Sequence, residues 1–338
     1  MDLTAGLSSL LHVDSEIGAR YKHLLKLRSR RRTLMIHACA HSVFFYKLLL
    51  CARQQLQMDP LIASSLPQGS LSKSIPVGII GGGQLGKQLV KCLIGLKEIE
   101  PQHVCVSTRR PETLREIHNL GVRCLYDNKW LVRWAQVVYL CVLPSQLPAV
   151  CAEISGHLRE PCVVYSLVST VPLPRLKALL SHSSVVRPEY RSEGGVEGLQ
   201  WEKRCTITEA LRDEYFVKAT TPGELQCGGG VYTVSSLMDA ALYAFLNVCT
   251  SQALPQRQAL RALNGLIQRL VPPGDQHQWA PLTADCFVSS QAEDSPFPRF
   301  DLCCVQMEGS PLRRHIEGSP QLREQLVKLY RGLFCHPT

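Results

Sequence analysis

The stretch "VGIIGGGQLG" at positions 77–86 constrains the fold of this chain more than any other. A short apolar run enters three consecutive glycines, and a fourth glycine stands three residues further on. Gly81, Gly83 and Gly86 fill the spacing G-x-G-x-x-G. Alone, that pattern is weak; its setting gives it weight. "IPVGII" reads as a buried strand, and "QLGKQLVKCLIGL" puts Leu85, Leu89, Cys92, Leu93 and Leu96 on one helical face. "HVCVS" (His103–Ser107) reads as the next strand. In a strand–turn–helix of this kind the first glycine permits the tight turn and the second admits a pyrophosphate to the backbone. The third lets helix and sheet close up. The helix start, with Gln84 and Leu85, then offers unpaired N–H groups to phosphate.

The alternation continues for about 110 residues, which is the βαβ signature. "VRCLY", "QVVYLCVLP", "PCVVYSLVS" and "SSVVR" read as further strands, with "PETLREIHNL", "SQLPAVCAEISGHL" and "LPRLKALLS" as helices around them. The later strands are nearly unbroken apolar runs, as expected where both faces of a sheet are covered. The expected fold class is α/β, a Rossmann-type doubly wound parallel sheet over residues 75–191. It carries an N-terminal helical extension and linker over residues 1–74, and an irregular connection and mostly α-helical C-terminal domain over residues 192–338. A chain of 338 residues is long enough for two cores. The linker reading rests on "SSLPQGSLSKS" (Ser64–Ser74). In the C-terminal region a helical pattern from Val234 to Val271 is interrupted at Pro255. A proline-rich loop spans Pro272–Pro298, and a last helix spans Ser319–Phe334.

Two segments raise other possibilities. "TLMIHACAHSVFFYKLLLCA" (Thr33–Ala52) has the length of a bilayer-crossing helix, but two histidines, a serine and Lys47 interrupt it. An amphipathic helix packed on the protein, with no membrane partner, is the expectation. "KLRSRRR" (Lys26–Arg32) reads as a solvated helix face; no stacking aromatics are interleaved with it, so no nucleic-acid partner is expected. The fifteen cysteines are odd in number, scattered, and include no C-x-x-C pair. They read as reduced, mostly buried thiols of a cytoplasmic protein without a metal site. The net charge of +9 suits an anionic small-molecule ligand.

The end of the second strand indicates which dinucleotide is bound. An NAD site places Asp or Glu there for the ribose hydroxyls. Here, 21 residues beyond Gly86, the chain reads Ser107, Thr108, Arg109, Arg110. Two hydroxyls and two guanidiniums suit a 2′-phosphate, and no carboxylate opposes it, so NADP is the expected cofactor.

With these residues in place, Val77–Arg187 resembles the dinucleotide-binding domain of pyrroline-5-carboxylate reductases. "VGIIGGGQLGKQLVKCLI" is similar to that family's opening, and "AQVVYLCVLPSQLPAV" (Ala135–Val150) to its fourth strand. "VVYSLVSTVPLPRLKALLSHSSVVR" (Val163–Arg187) resembles its fifth and sixth. The resemblance implies an NADPH-dependent hydride donor whose helical C-terminal domain pairs two subunits into a homodimer. Three positions depart from the family. Leu143 stands in place of a lysine, "PEYR" follows Arg187 where the family has "VMPN", and "SSLMDAALYAF" replaces the segment "SGSGPAY". "VSTVPLP" also resembles β-hydroxyacid dehydrogenases, in which a serine–threonine pair after the fifth strand contacts substrate.

The nicotinamide is then expected at the carboxyl ends of the strands, near Leu143, Pro144 and Ser166–Thr170. Ser169 and Thr170 are the candidate catalytic groups, although helix capping before Pro172 explains them equally. Tyr232, Ser235 and Ser236 are candidates from the helical domain. The expected activity is reduction of a small imine or carbonyl compound. A non-catalytic NADP(H) sensor or scaffold, and a β-hydroxyacid dehydrogenase-like enzyme, are the alternatives.

Overall fold

A computed structural model describes residues 19–63, 74–97, 99–192, 205–223, 231–270, 281–289, 293–307 and 309–335. Six parallel strands form the main sheet: β1 (Val77–Ile80), β2 (Val104–Ser107), β3 (Arg123–Leu125), β4 (Val137–Leu140), β5 (Val163–Ser166) and β6 (Val185–Val186). Their order is β3-β2-β1-β4-β5-β6, that of the Rossmann fold. β1, β2, β4 and β5 are buried at every residue, which is why they read as apolar runs instead of alternating ones.

The two faces of the sheet feed different cores. Val77, Ile79, Val104, Val106, Val137, Tyr139 and Tyr165 pack with a long N-terminal helix, Ala19–Met58, and with the Gln84–Gly95 helix. Ile80, Cys105, Val138, Leu140, Val164 and Val185 pack on the opposite side, beneath the helices Asn128–Trp134, Leu147–Ile154 and Leu173–Leu180. The first cluster continues through the helices Ser236–Ser251, Gln256–Leu270 and Pro320–Cys335.

Several elements differ from the sequence reading. The Asn128–Trp134 helix was not anticipated: it is seven residues long and buries only Asn128, Leu131 and Val132, too few for a readable period. "PETLREIHNL" is a 3-10 turn, Pro111–Leu114, followed by a single helical turn, Arg115–His118. A two-stranded antiparallel ribbon, β7 (Tyr190–Ser192) with β8 (Val231–Thr233), lies in what reads as irregular chain. Three-residue strands give no alternation to detect. The linker of Ser64–Ser74 lies outside the described residues apart from Ser74.

The long helix is the largest correction. From Ile36 to Ala52 every residue is buried, so this stretch has no solvent face and is not amphipathic. Residues Ser29–Met58 have the length and hydropathy of a membrane span, but the structure encloses the apolar part in protein. His41 and Lys47, two of the polar residues that interrupt it, and the backbone at Ser42 are bonded to distant chain. Tyr139 Oη donates to the Ser42 carbonyl at 2.8 Å, and Lys47 Nζ donates to the Leu333 carbonyl. At the amino edge of the sheet the Arg53 guanidinium donates to the Ser74 carbonyl and to Gln136 Oε1. The helix therefore crosses the sheet with Arg53 at the amino edge and Ser42 toward the carboxyl edge.

Two histidines on this helix are buried and neutral. His41 Nε2 lies 2.7 Å from the Thr220 carbonyl, so it carries the proton, and Nδ1 accepts from Tyr190 Oη at 3.3 Å. Burial pushes His41 down to about 4, against the Thr220 carbonyl. Among the described residues His37 has no hydrogen-bond partner on either nitrogen; burial and the neighbouring His41 push it down to about 3. Elsewhere Asp239 sits 2.9 Å from Arg313 Nε, and burial raises its carboxyl to about 6 despite that partner.

These shifts set an acid limit. Between pH 6 and 4 unfolding lets both histidines take up protons, because their folded values lie below the ordinary 6.5. Asp239, raised when folded, gives one proton up over the same range. The three groups together bind about one more proton unfolded than folded, so their contribution to stability falls by about 1 kcal/mol per pH unit as the pH drops. Denaturant unfolding at pH 7.5, 6 and 5 measures this. A His37→Leu variant is expected to show a slope shallower by about one proton; an unchanged slope refutes the assignment.

Candidate functional site: the crevice at the carboxyl edge

The strand order reverses between β1 and β4, and the chain leaves both at the same edge. Cys141 N donates to the Ile80 carbonyl at 2.8 Å, and Gly81 N donates to the Ser107 carbonyl at 2.9 Å, so the three exits after β1, β2 and β4 are laced together. Gly81 has φ +116°, a conformation that glycine adopts freely, and a Cβ there would lie 2.6 Å from the Cys141 carbonyl oxygen. Gly86, in the first turn of the Gln84–Gly95 helix, is tighter still: a Cβ would stand 2.1 Å from the Gly81 carbonyl oxygen. Gly83 is different. It is the N-cap, it is exposed, no side chain caps the helix there, and a Cβ would meet nothing within 4 Å. The helix start therefore faces open space with its N–H groups and partial positive charge uncovered. Gln84 is exposed beside it, and Leu85 is half-buried.

On the β2 side, Thr108 abuts the glycine turn: a Cβ on Gly82 would lie 3.1 Å from the Thr108 side chain. Thr108 is half-buried, and Arg109 and Arg110 are exposed. Ser107 belongs to the interior instead. It is the last residue of β2, with no exposed surface, and its Oγ is buried without a partner. A strand covered on both faces leaves its final side chain inside the core, and the hydroxyl offered to the crevice is that of Thr108 alone. Gly82 and the Cys141 carbonyl were not singled out from the sequence. The run of three glycines hints at the first, and nothing in the sequence marks the second.

Leu143 and Pro144, beyond β4, are both exposed at this edge, Leu143 at 64%. Ser169 and Thr170, after β5, are exposed as well. They do not cap the helix that follows: its N-cap is Pro172, with no side-chain bond. The Ser169 carbonyl accepts from Arg187 Nη1 at 2.8 Å, which ties the loop after β5 to the end of β6. Tyr232 and Ser235 are half-buried and Ser236 is buried; Tyr232 belongs to β8, and the two serines open the Ser236–Ser251 helix. The structure thus gathers Gly81, Gly83, Gln84, Thr108, Arg109, Arg110, Leu143 and Pro144 along one edge. Ser169 and Thr170 stand further along it.

Geometry permits this glycine cradle to hold a diphosphate: an open N-cap, an uncovered helix terminus, and guanidiniums one strand away. Among the described residues no group of three His, Cys, Asp or Glu side chains is placed to hold a metal ion. The two glycines make separable predictions. Gly86→Ala is expected to destabilise the fold by about 1–3 kcal/mol or more, because backbone blocks the new methyl. Gly83→Ala should leave the unfolding midpoint unchanged and weaken nucleotide binding. Parallel thermal-unfolding and calorimetric measurements check both; equal stability losses in the two variants contradict this reading.

A family model described as "NADP oxidoreductase coenzyme F420-dependent" matches residues 76–169, the glycine turn through the loop after β5. NADP-dependent oxidoreductase domain-containing protein 1 of Mus musculus is 35% identical over 347 residues, covering 99% of this chain and 94% of that protein. Pyrroline-5-carboxylate reductase 3 of Xenopus laevis is 31% identical over 115 residues, covering 34% of this chain and 42% of the reductase. The pyrroline-5-carboxylate reductase of Methanosarcina acetivorans is 27% identical over 174 residues, with 48% and 60% covered. The match to these two reductases thus spans less than two thirds of their length. Among solved structures, the pyrroline-5-carboxylate reductase of Coxiella burnetii is 19% identical with a TM-score of 0.34, covering 77% of this chain and 96% of that one. The near full-length match to the mouse protein decides the matter: this chain belongs to the family of NADP-dependent oxidoreductase domain-containing protein 1.

Proposed function

We propose that this chain is an NADPH-dependent reductase of a small imine or carbonyl compound, similar to the pyrroline-5-carboxylate reductases. The observation that carries the reading is the open N-cap at Gly83, next to two exposed arginines at the end of β2. The backbone amides of Gly83, Gln84 and Leu85 hold the pyrophosphate. Thr108, Arg109 and Arg110 hold the 2′-phosphate, each guanidinium through paired N–H donors. When bound, the cofactor supplies a hydride; the protein's part is to hold the reacting carbon in line and keep water out.

Leu143 and Pro144 provide an apolar wall where the family has a charged residue, and Ser169 and Thr170 present hydroxyls at the next strand end. A protonated imine needs no further acid, whereas a carbonyl substrate needs a donor, for which these two hydroxyls are the candidates. The free thiols of the described cysteines are in keeping with a cytosolic setting, and pairing of two copies is proposed on the family resemblance. A cofactor-binding sensor without turnover is the second reading, favoured by the departures at Leu143 and after Arg187.

Two measurements test this. NADPH oxidation across a panel of cyclic imines and β-keto acids, and NADP+ reduction with β-hydroxy acids, should show steady turnover with at least one compound; tight cofactor binding with no turnover supports the sensor. Arg109→Ala should weaken NADPH binding by about tenfold or more while leaving NADH little changed, the loss of a charge-assisted hydrogen-bonding group. Equal losses would remove the basis for preferring NADP.

A further inference from the structure

The long helix Ala19–Met58 is uneven in both charge and burial. Its 40 residues include no Asp or Glu, and seven of its nine Lys and Arg residues lie between Arg20 and Arg32. The fully enclosed stretch begins only at Ile36. The apolar length of the helix therefore belongs to the core, and the basic run precedes it.

At the end of that run the helix has an inner and an outer side. Thr33 is buried, with Oγ1 donating to the Ser29 carbonyl at 3.1 Å, and Ser29 itself is half-buried. Leu27, Arg31 and Leu34, spaced i, i+4 and i+7, share a different face. All three are exposed, the two leucines at 57% and 39%. Two large apolar side chains thus stand in water on either side of a guanidinium, inside a segment with no negative charge.

The charge selects the class of partner. A second copy would bring the same seven cations together, and like charges oppose such pairing. An anionic surface is the complement. The leucines then choose among anionic surfaces. Against a nucleic-acid backbone they add neither a phosphate contact nor base stacking. At a bilayer interface a leucine enters the acyl boundary while the neighbouring basic groups stay at the level of the phosphates.

We propose that the Leu27–Arg31–Leu34 face, with the basic run around it, docks the protein on an anionic phospholipid surface. The helix rests on the bilayer by its basic end and does not cross it, because the apolar stretch from Ile36 to Ala52 is already enclosed in protein. Each Lys or Arg held near such a surface multiplies the binding constant by about fivefold at physiological salt. This inference is independent of the reductase reading.

The test is co-sedimentation of the full chain with two kinds of vesicle, phosphatidylcholine alone and phosphatidylcholine containing about one third phosphatidylserine. Binding should require phosphatidylserine and be lost in about 1 M salt, where surface charges are screened within a few ångströms. Arg31→Glu should weaken it by about tenfold or more, since the substitution removes one cation and adds an anion. The double variant Leu27→Ser, Leu34→Ser should weaken it by about tenfold with every charge kept. Both variants change exposed positions, so the unfolding midpoint and NADPH binding should match those of the parent chain. Three results would each overturn the proposal: no binding to the anionic vesicles, equal binding to both kinds, or full binding by the double leucine variant. Tighter binding to duplex DNA than to the anionic vesicles, unchanged in the leucine variant, would also overturn it and make the helix a polynucleotide site.

Discussion

Backbone meets backbone where the chain turns from β1 into the Gln84–Gly95 helix, and the rest of the molecule is arranged around that contact. Gly86 lies so close to the Gly81 carbonyl that no β-carbon fits between them, and Gly81 lies almost as close to the Cys141 carbonyl. These approaches pull the helix terminus down against the ends of β1 and β4, at the point where the strand order reverses. Only Gly83 escapes the crowding. The same turn is thus tight on the side that faces the sheet and vacant on the side that faces solvent. An anion-binding helix terminus needs both properties.

The long helix has a complementary part. It lies across one sheet face and ties the amino edge, through Arg53, to the carboxyl edge, through Ser42 and His41. By burying its polar side chains against Thr220, Tyr190 and Leu333 it joins the dinucleotide-binding sheet, the ribbon and the last helix. The fully enclosed His37 and His41 are the electrostatic cost of that arrangement, since both must stay neutral there.

Much of this was legible in the sequence, and what escaped has definite causes. The parallel sheet could be read because strands covered on both faces carry unbroken apolar runs, as in "VGII" and "VVYL". The glycine cradle could be read because steric rules tie each glycine to a task. Ser107 was legible as the end of its strand but not as buried: cover on both sheet faces keeps its hydroxyl inside, and one residue separates it from Thr108 in the crevice. The burial of the long helix was hidden because its polar residues look like interruptions until their partners, up to 286 positions away, are known. The β7–β8 ribbon was hidden for the same reason: Arg191 and Tyr232 oppose one another only after 40 intervening residues have folded.

If the vacant N-cap and the two arginines form a dinucleotide site, the purified full-length chain should bind NADPH. Isothermal titration is the most direct measurement of this. The account requires saturable heat with NADPH, one site per chain, and markedly weaker binding of NADH. A calorimetric trace flat for both dinucleotides would contradict it.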